Sequence, residues 1–350
     1  MTETFPLPHP YRQLVVGIGS ALVDILIDAD DAFIGTTGVP KGGMVYFDSD
    51  TIDETLTASG ADPIIVPGGA ACNTMVGIGK LGGLSRFIGK RGNDRYGQFF
   101  EDSLTTSNVE PMLMRTATPT GKVLSVISPD SQRTMLTCLG AAAEITQHDL
   151  HLNSFADAAV TLVEGYLVYN PELFEHALKR ARKAQSLIAL DLSSFTVVEE
   201  CMANFDAAVR NYVDILIANE EEARAFTGAA DDDSALDELA KRASLAVLKL
   251  GPRGSRVAWN NHRFDIPAAG SDGIVDTTGA GDLWAAGFLF GLVNALPLDQ
   301  CGHIASACGY EVCRVKGAAI PEDGWRRIWA LLDPAVGSDR FLKVSETPHR

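Results

Sequence analysis

Seven consecutive residues, Asp276-Thr277-Thr278-Gly279-Ala280-Gly281-Asp282, put a carboxylate and two glycines in front of a long apolar run. In that run, Leu283–Val293, the only polar side-chain atom is the indole N–H of Trp284. It is too short to cross a bilayer. It reads instead as a buried helix whose N-terminus opens near Gly281-Asp282. A helix N-terminus offers unpaired N–H groups and partial positive charge. Gly279 and Gly281 let the backbone come close to a ligand. Gly279, Ala280 and Gly281 together make a cradle for an anion such as a phosphoryl group in transfer. Asp282 at its rim is placed to take a proton from an attacking hydroxyl. The plainer alternative is a tight turn with Asp282 as N-cap.

The elements that must hold this stretch follow a strand–helix rhythm. Leu14–Ile18 reads as a buried strand, and Asp24 stands beside Ile25-Leu26-Ile27 just beyond it. Pro67-Gly68-Gly69 opens a helix running to about Leu81 and carrying Asn73 near its start. Strands are expected at Val160–Val163, Leu187–Leu190, Val213–Ile217 and Leu245–Leu250, with helices at Pro171–Ala184 and Glu220–Phe226. Such alternation implies a parallel sheet covered by helices on both faces, with ligands at the carboxyl ends of the strands. Glu164, Asp191, Asn219 and the Gly251–Gly254 loop all fall at strand ends. Lys122–Ser128 and Arg133–Leu139 read as a hairpin, which with the Gly35–Ser49 excursion builds a small sheet over a pocket. The glycine strings Gly17-Ile18-Gly19 and Gly77–Gly82 do not make a dinucleotide fingerprint. The first lacks its third glycine, and the second lies late in a helix.

Composition narrows the partners. The chain has 350 residues, 46% of them hydrophobic, enough for a large core. With 45 acids against 29 Lys and Arg, the net charge of −16 disfavours nucleic acid and anionic membranes as partners. The acid clusters Asp28–Asp31 and Asp231–Asp233 are expected to be solvated loops. None of the six cysteines has zinc spacing or a Cys-x-x-Cys pair, as in a reduced cytoplasmic protein. Met1–Tyr11, with three prolines, is expected to be a loose arm.

The stretch Asp276–Asp282 resembles the C-terminal signature of the ribokinase-like (PfkB) family of carbohydrate and nucleoside kinases, which reads Asp-Thr-x-Gly-Ala-Gly-Asp. Gly68, Gly69 and Asn73 are similar to its N-terminal Gly-Gly-x-x-x-Asn signature, and Asn219 with Glu222 to its Asn-x-x-Glu motif. The resemblance covers about Val15 to Pro321. Leu283-Trp284 stand where the family usually has a small residue and Phe, and Arg91 where it commonly has an apolar one.

The resemblance implies a three-layer α/β/α domain with a mainly parallel central sheet and a small β-sheet lid. It implies Asp282 as catalytic base and Gly279, Ala280 and Gly281 as anion hole. Asp24, Gly68, Gly69, Asn73 and Glu164 would then bind the substrate. Asn219, Lys249, Gly251 and Gly254 would bind the nucleotide. Glu222 would order Mg2+ through water around ATP, and Asp276 and Thr278 would help hold K+. Bounds of 12–335 for the kinase domain are expected, with a lid from about 25–62 and 112–140, and terminal arms at 1–11 and 336–350.

The expected activity is transfer of the γ-phosphoryl of ATP to a hydroxymethyl of a nucleoside or sugar, by a monomer or homodimer. Gly68–Thr74, Arg133-Thr134-Met135, Glu164–Leu167 and Asp191-Leu192-Ser193 resemble the adenosine-kinase-like branch. Met44, Tyr46, Phe47 or Tyr166 is a candidate wall for a base. A ribokinase or fructokinase type is the alternative acceptor class. A catalytically silent, ligand-binding relative and a nicotinamide dehydrogenase are the alternatives in kind.

Overall fold

The computed structural model describes residues 3–130 and 132–336. Among the described residues, fourteen strands form two sheets. The larger takes β1 (Leu14–Ile18), β5 (Ser85–Gly92), β6 (Val109–Thr116), β9 (Ala158–Glu164), β10 (Leu187–Asp191), β11 (Ile215–Asn219), β12 (Leu245–Lys249), β13 (Ser255–Trp259) and β14 (His262–Ile266). The smaller takes β2 (Leu22–Asp28), β3 (Met44–Tyr46), β4 (Ile64–Gly68), β7 (Gly121–Ile127) and β8 (Arg133–Cys138).

The large sheet runs β14-β13-β12-β11-β10-β9-β1-β5-β6. It is parallel from β6 to β12, and β13 and β14 add an antiparallel edge. Its central strands, β1 and β9 to β12, are largely apolar on both sides because both faces are covered. Alternate residues divide between two cores: Val15, Ile215 and Ile217 face one, and Val16, Leu216 and Ala218 the other. Helices Ala70–Lys80, Ala280–Val293 and Leu298–Cys313 contribute to the first core, and Pro171–Lys183, Met202–Asn211 and Asp232–Ala240 to the second. The result is the α/β/α sandwich that the strand–helix rhythm implied.

The chain leaves β1 for β5 on one side and returns to β9 on the other, so strand order reverses at β1. A crevice opens at the carboxyl ends of strands at such a point. Glu164, Asp191, Asn219 and Lys249 are the last residues of β9, β10, β11 and β12.

The small sheet runs β3-β8-β7-β2-β4, and β7 and β8 form the expected hairpin. Its extent differs from the expected lid segments. Ile64–Gly68 joins it as an edge strand, while Val109–Thr116 pairs with β5 in the large sheet. The half-buried pattern of Val109–Thr116 suits either sheet, so its sequence does not choose between them.

Helix Ala280–Val293 is apolar around its circumference and buried from Leu283 to Val293. It packs between helices Ala70–Lys80 and Leu298–Cys313. Gly77 makes the first contact possible: a methyl there would stand 2.6 Å from the Ala286 Cβ. The second fingerprint-like glycine string therefore serves helix packing.

Two expectations are corrected. The N-terminal arm is anchored rather than loose. Thr4 bridges to Pro297, the Leu298 N–H donates to the Glu3 carbonyl at 3.0 Å, and buried Phe5 meets Trp259 edge-on. The acid clusters start helices: Asp30 caps Asp31–Thr36, and Asp231 caps Asp232–Ala240. Asp232 and Asp233 then pair with Arg224, Arg253, Arg256 and Arg263. Residues 337–350 of the expected C-terminal arm lie outside the described residues.

Candidate active site

The helix that the sequence placed near Gly281-Asp282 begins at Ala280, with Gly279 as N-cap. Gly279 has a φ of 73°, in the left-handed region, and a methyl on it would lie 2.7 Å from the Ala318 Cβ. Both facts call for glycine. No side chain caps this helix. The Ala280 N–H is already engaged by the Thr277 carbonyl at 3.1 Å, and the Leu283 N–H by the Gly279 carbonyl at 2.8 Å. The N–H groups of Gly281 and Asp282 are therefore the free donors of the first turn.

Asp282 links this turn to the neighbouring helix. Its Oδ2 accepts from the Asn73 amide at 2.9 Å, and its carbonyl from the Thr74 hydroxyl at 3.1 Å. Burial raises the Asp282 carboxyl to about 7, against the stabilising Asn73 bond; Asp191 and Asp24 push it further up and Lys249 draws it down. Part of the residue stays open to the crevice. A carboxylate poised there is suited to proton transfer near neutral pH.

Three other expected residues lie on the Asn73 side of Asp282. Asp24 on β2 is buried against Gly68 on β4, where a methyl would stand 2.6 Å from its carboxylate. Burial raises Asp24 to about 6, Arg133 draws it down, and Asp276 pushes it up. Glu164 is buried at the end of β9 and accepts from the Ala71 N–H at 3.1 Å, at the start of helix Ala70–Lys80. Burial raises it to about 7 despite that bond. Gly69, with φ 99°, caps that helix. Asp24, Gly68, Gly69, Asn73 and Glu164 thus gather around one face of Asp282.

Thr277, Ala280 and Gly281 of the same turn also border a cavity of about 410 Å³. Gly251, Gly254 and Lys249 line it with them. Ile274, Trp284 and Tyr310 give it largely apolar walls, which suit a nucleobase. Trp284, a departure from the family pattern, packs against Phe288 and fills part of this wall.

Asn219 and Glu222 bond each other. The Asn219 side chain accepts from the Glu222 N–H at 2.9 Å, and Glu222 accepts from the Asn219 N–H at 2.8 Å, a capping box. A helix-start charge is ordinarily solvated, yet Glu222 is buried. Burial holds its carboxyl above the usual range. No group of three or more His, Cys, Asp or Glu residues able to hold a metal occurs among the described residues. One buried carboxylate beside a nucleotide-sized cavity fits magnesium, which keeps several waters and takes its other ligands from phosphate.

Asp276 and Thr278 are joined to the late loop. Asp276 accepts from the Thr278 N–H at 3.0 Å, the Thr278 hydroxyl at 2.6 Å and the Gly317 N–H at 2.8 Å. Buried Arg91 pairs with Glu101, which explains how a charge is tolerated there. Asp191 stands out in the sequence as a strand end and as the first residue of Asp191-Leu192-Ser193. It bonds Lys249 at 2.9 Å, a contact across 58 residues that no local pattern announces.

The pfkB family carbohydrate kinase model matches residues 44–324. An adenosine kinase structure from Sinorhizobium meliloti has 31% identity and a TM-score of 0.81, over 91% of this chain and 99% of that one. A probable sugar kinase structure from Rhizobium etli has 27% identity and a TM-score of 0.83, over 91% and 98%. Probable fructokinase-7 of Arabidopsis thaliana is 29% identical over 72% of this chain and 79% of its own.

Proposed function

The chain belongs to the pfkB family of carbohydrate kinases, phosphotransferases acting on hydroxyl groups, and from that premise we propose that it transfers the γ-phosphoryl of ATP to the hydroxymethyl of a nucleoside, adenosine first. The acceptor lies among Asp24, Gly68, Gly69, Asn73 and Glu164, where paired carboxylate oxygens receive sugar hydroxyls. The nucleotide lies in the cavity lined by Gly251 and Gly254. Asp282, held by Asn73, takes the proton from the acceptor hydroxyl. The Gly279–Asp282 turn receives the charge of the group in transfer, with the N–H donors of Gly281 and Asp282 as its working atoms. Such positioning and charge stabilisation are the main requirements of phosphoryl transfer.

One observation carries the nucleoside reading. Tyr166, two residues beyond Glu164, feels the charges of Glu164, Asp282 and Tyr46 of the small sheet. Tyr46 is 55% exposed and Tyr166 40% exposed, so both keep surface free for a flat apolar base. The fructokinase relative favours a free sugar as the second reading. The test is kcat/KM for adenosine, ribose and fructose in one assay. Adenosine is expected to win; a tenfold advantage for either sugar overturns the nucleoside and leaves the kinase.

Glu222, with Asn219, would orient magnesium through its waters, and the ion would neutralise phosphate charge. Glu222→Gln is expected to raise the magnesium concentration for half-maximal rate about tenfold, as losses around a metal's ligands commonly do. The acceptor KM should stay near the parent value. Overlapping magnesium titrations would reduce Glu222 to its capping role.

The Asp276–Gly317 bond joins the Asp276–Thr278 loop to the Val315–Gly317 loop, and these two would hold potassium. Potassium is expected to raise kcat over a bulky organic cation at equal ionic strength. Equal rates in the two would remove this site from the account.

A further inference from the structure

Lys249, Asp191 and Glu222 bring three charges into the protein at the ends of neighbouring strands. The Lys249 and Asp191 side chains are each only 13% exposed, and Nζ stands 2.9 Å from Asp191 Oδ2. Among the described residues, this is the one hydrogen bond that the Lys249 ammonium makes. Asp191 is itself fixed. Its Oδ1 accepts from the Ser193 N–H at 3.0 Å, and the Ser193 hydroxyl accepts from the Gly165 N–H at 2.9 Å. Ser193 has a φ of 66°, so the turn holds a side-chain-bearing residue in the left-handed region. The aspartate is thereby tied to the residue that follows Glu164.

The ammonium end of Lys249 meets the catalytic turn. A methyl on Gly281 would stand 3.1 Å from Nζ, and both residues line the proposed nucleotide cavity. The charges facing Lys249 are Asp191 from β10, Glu222 from the helix Glu220–Thr227 that follows β11, and Asp282 from the Ala280–Val293 helix. A flexible lysine with several acidic neighbours can pair with any of them. Pairing with Asp282 would quench the base, and pairing with Glu222 would draw the cation away from the turn.

We propose that Asp191 is a positioning residue for phosphoryl transfer: it anchors the Lys249 ammonium beside Gly281, where that charge faces the terminal phosphoryl group of the nucleotide. The assignment rests on the ATP-dependent kinase reading. A fixed cation in a water-poor crevice stabilises developing phosphate charge without having to reorganise. Burial opposes the charged lysine, but Asp191 and Glu222 outweigh it, so Lys249 stays protonated.

The test compares parent, Asp191→Asn, Lys249→Met, the double variant and Gly281→Ala. Calorimetry gives affinities for ATP and ADP, and kinetics give kcat and the acceptor KM. Asp191→Asn is expected to weaken ATP about tenfold and to leave ADP within about twofold, because the lost charge-assisted contact is to the terminal phosphoryl. Its kcat should fall about tenfold or more, with the acceptor KM unchanged. The double variant should match Lys249→Met within about twofold, since the aspartate acts through the lysine. Gly281→Ala, whose methyl displaces the ammonium, should show the same selective loss of ATP. It keeps the question open to refutation if the Asp191 variant does not fold. Equal weakening of ATP and ADP, an additive double variant, or an unchanged ATP-to-ADP ratio in Gly281→Ala overturns the assignment. A parent that phosphorylates no hydroxyl acceptor overturns the kinase function itself; an active parent with any of those three results overturns only the role of Asp191.

Discussion

Asp282→Asn is expected to lower kcat at least ~10²-fold while ATP affinity stays near that of the parent. The Asn side chain keeps the size of the carboxylate and can still meet Asn73, so the turn and the Gly281 and Asp282 N–H donors persist. What disappears is the proton acceptor. The parent rate should also carry an acid limb. The base works deprotonated, and its carboxyl sits at about 7 because of burial. Activity should therefore be full above that range and fall tenfold per pH unit below it. The variant should lose this limb along with its rate. Near-parental turnover in Asp282→Asn, or a parental acid limb persisting in it, would remove Asp282 from the chemistry.

Gly279→Ala is expected to produce the next largest loss, about 10²-fold in kcat. Two causes combine. An alanine at φ 73° costs roughly 1 kcal/mol or more, and its methyl meets the Ala318 Cβ at 2.7 Å. The turn relieves both by rotating, and that moves the first free N–H groups of the helix. A misplaced donor loses most of its effect on a developing charge. Helix Ala280–Val293 is anchored along its buried length, so the melting temperature should fall by only a few degrees. A variant with parental kcat would show that the first-turn donors do not bear on the rate.

The centre of the site was legible because its signals are local. An apolar run without a break fixes a buried helix, and glycines before it fix a tight start, although the start lies at Ala280 and not at Gly281-Asp282. Strand-terminal polar residues such as Glu164 and Asn219 were legible for the same reason. Long-range pairings were not. Asn73 and Asp282 are 209 positions apart, and only resemblance placed them in one site before their bond was seen. The Asp191–Lys249 pair has neither a motif nor a spacing to announce it. The N-terminal arm misled for a different reason. Its prolines speak against regular structure but say nothing about docking, which buried Phe5 secures through Trp259. Residues 112–116 of the expected lid belong to the large sheet instead, because a half-buried strand carries no label for its partner.

The crowding of carboxylates in the crevice sets catalysis and endurance against each other. Burial raises Asp24 to about 6 and Glu164 and Asp282 to about 7. In the unfolded chain these groups titrate near 4. A carboxyl whose folded value is raised adds its stability below the unfolded value and loses it as pH climbs through the folded one. From these three groups, the empty protein gains resistance to unfolding toward pH 4, where Asp282 holds a proton and, on the proposed mechanism, turnover stops. Toward pH 8 it has its base and gives up that protection. The working enzyme occupies the more fragile end of its own titration. There, acceptor hydroxyls donating to Asp24 and Glu164 would restore part of what deprotonation removes, making substrate a protectant in alkaline solution and much less of one in acid.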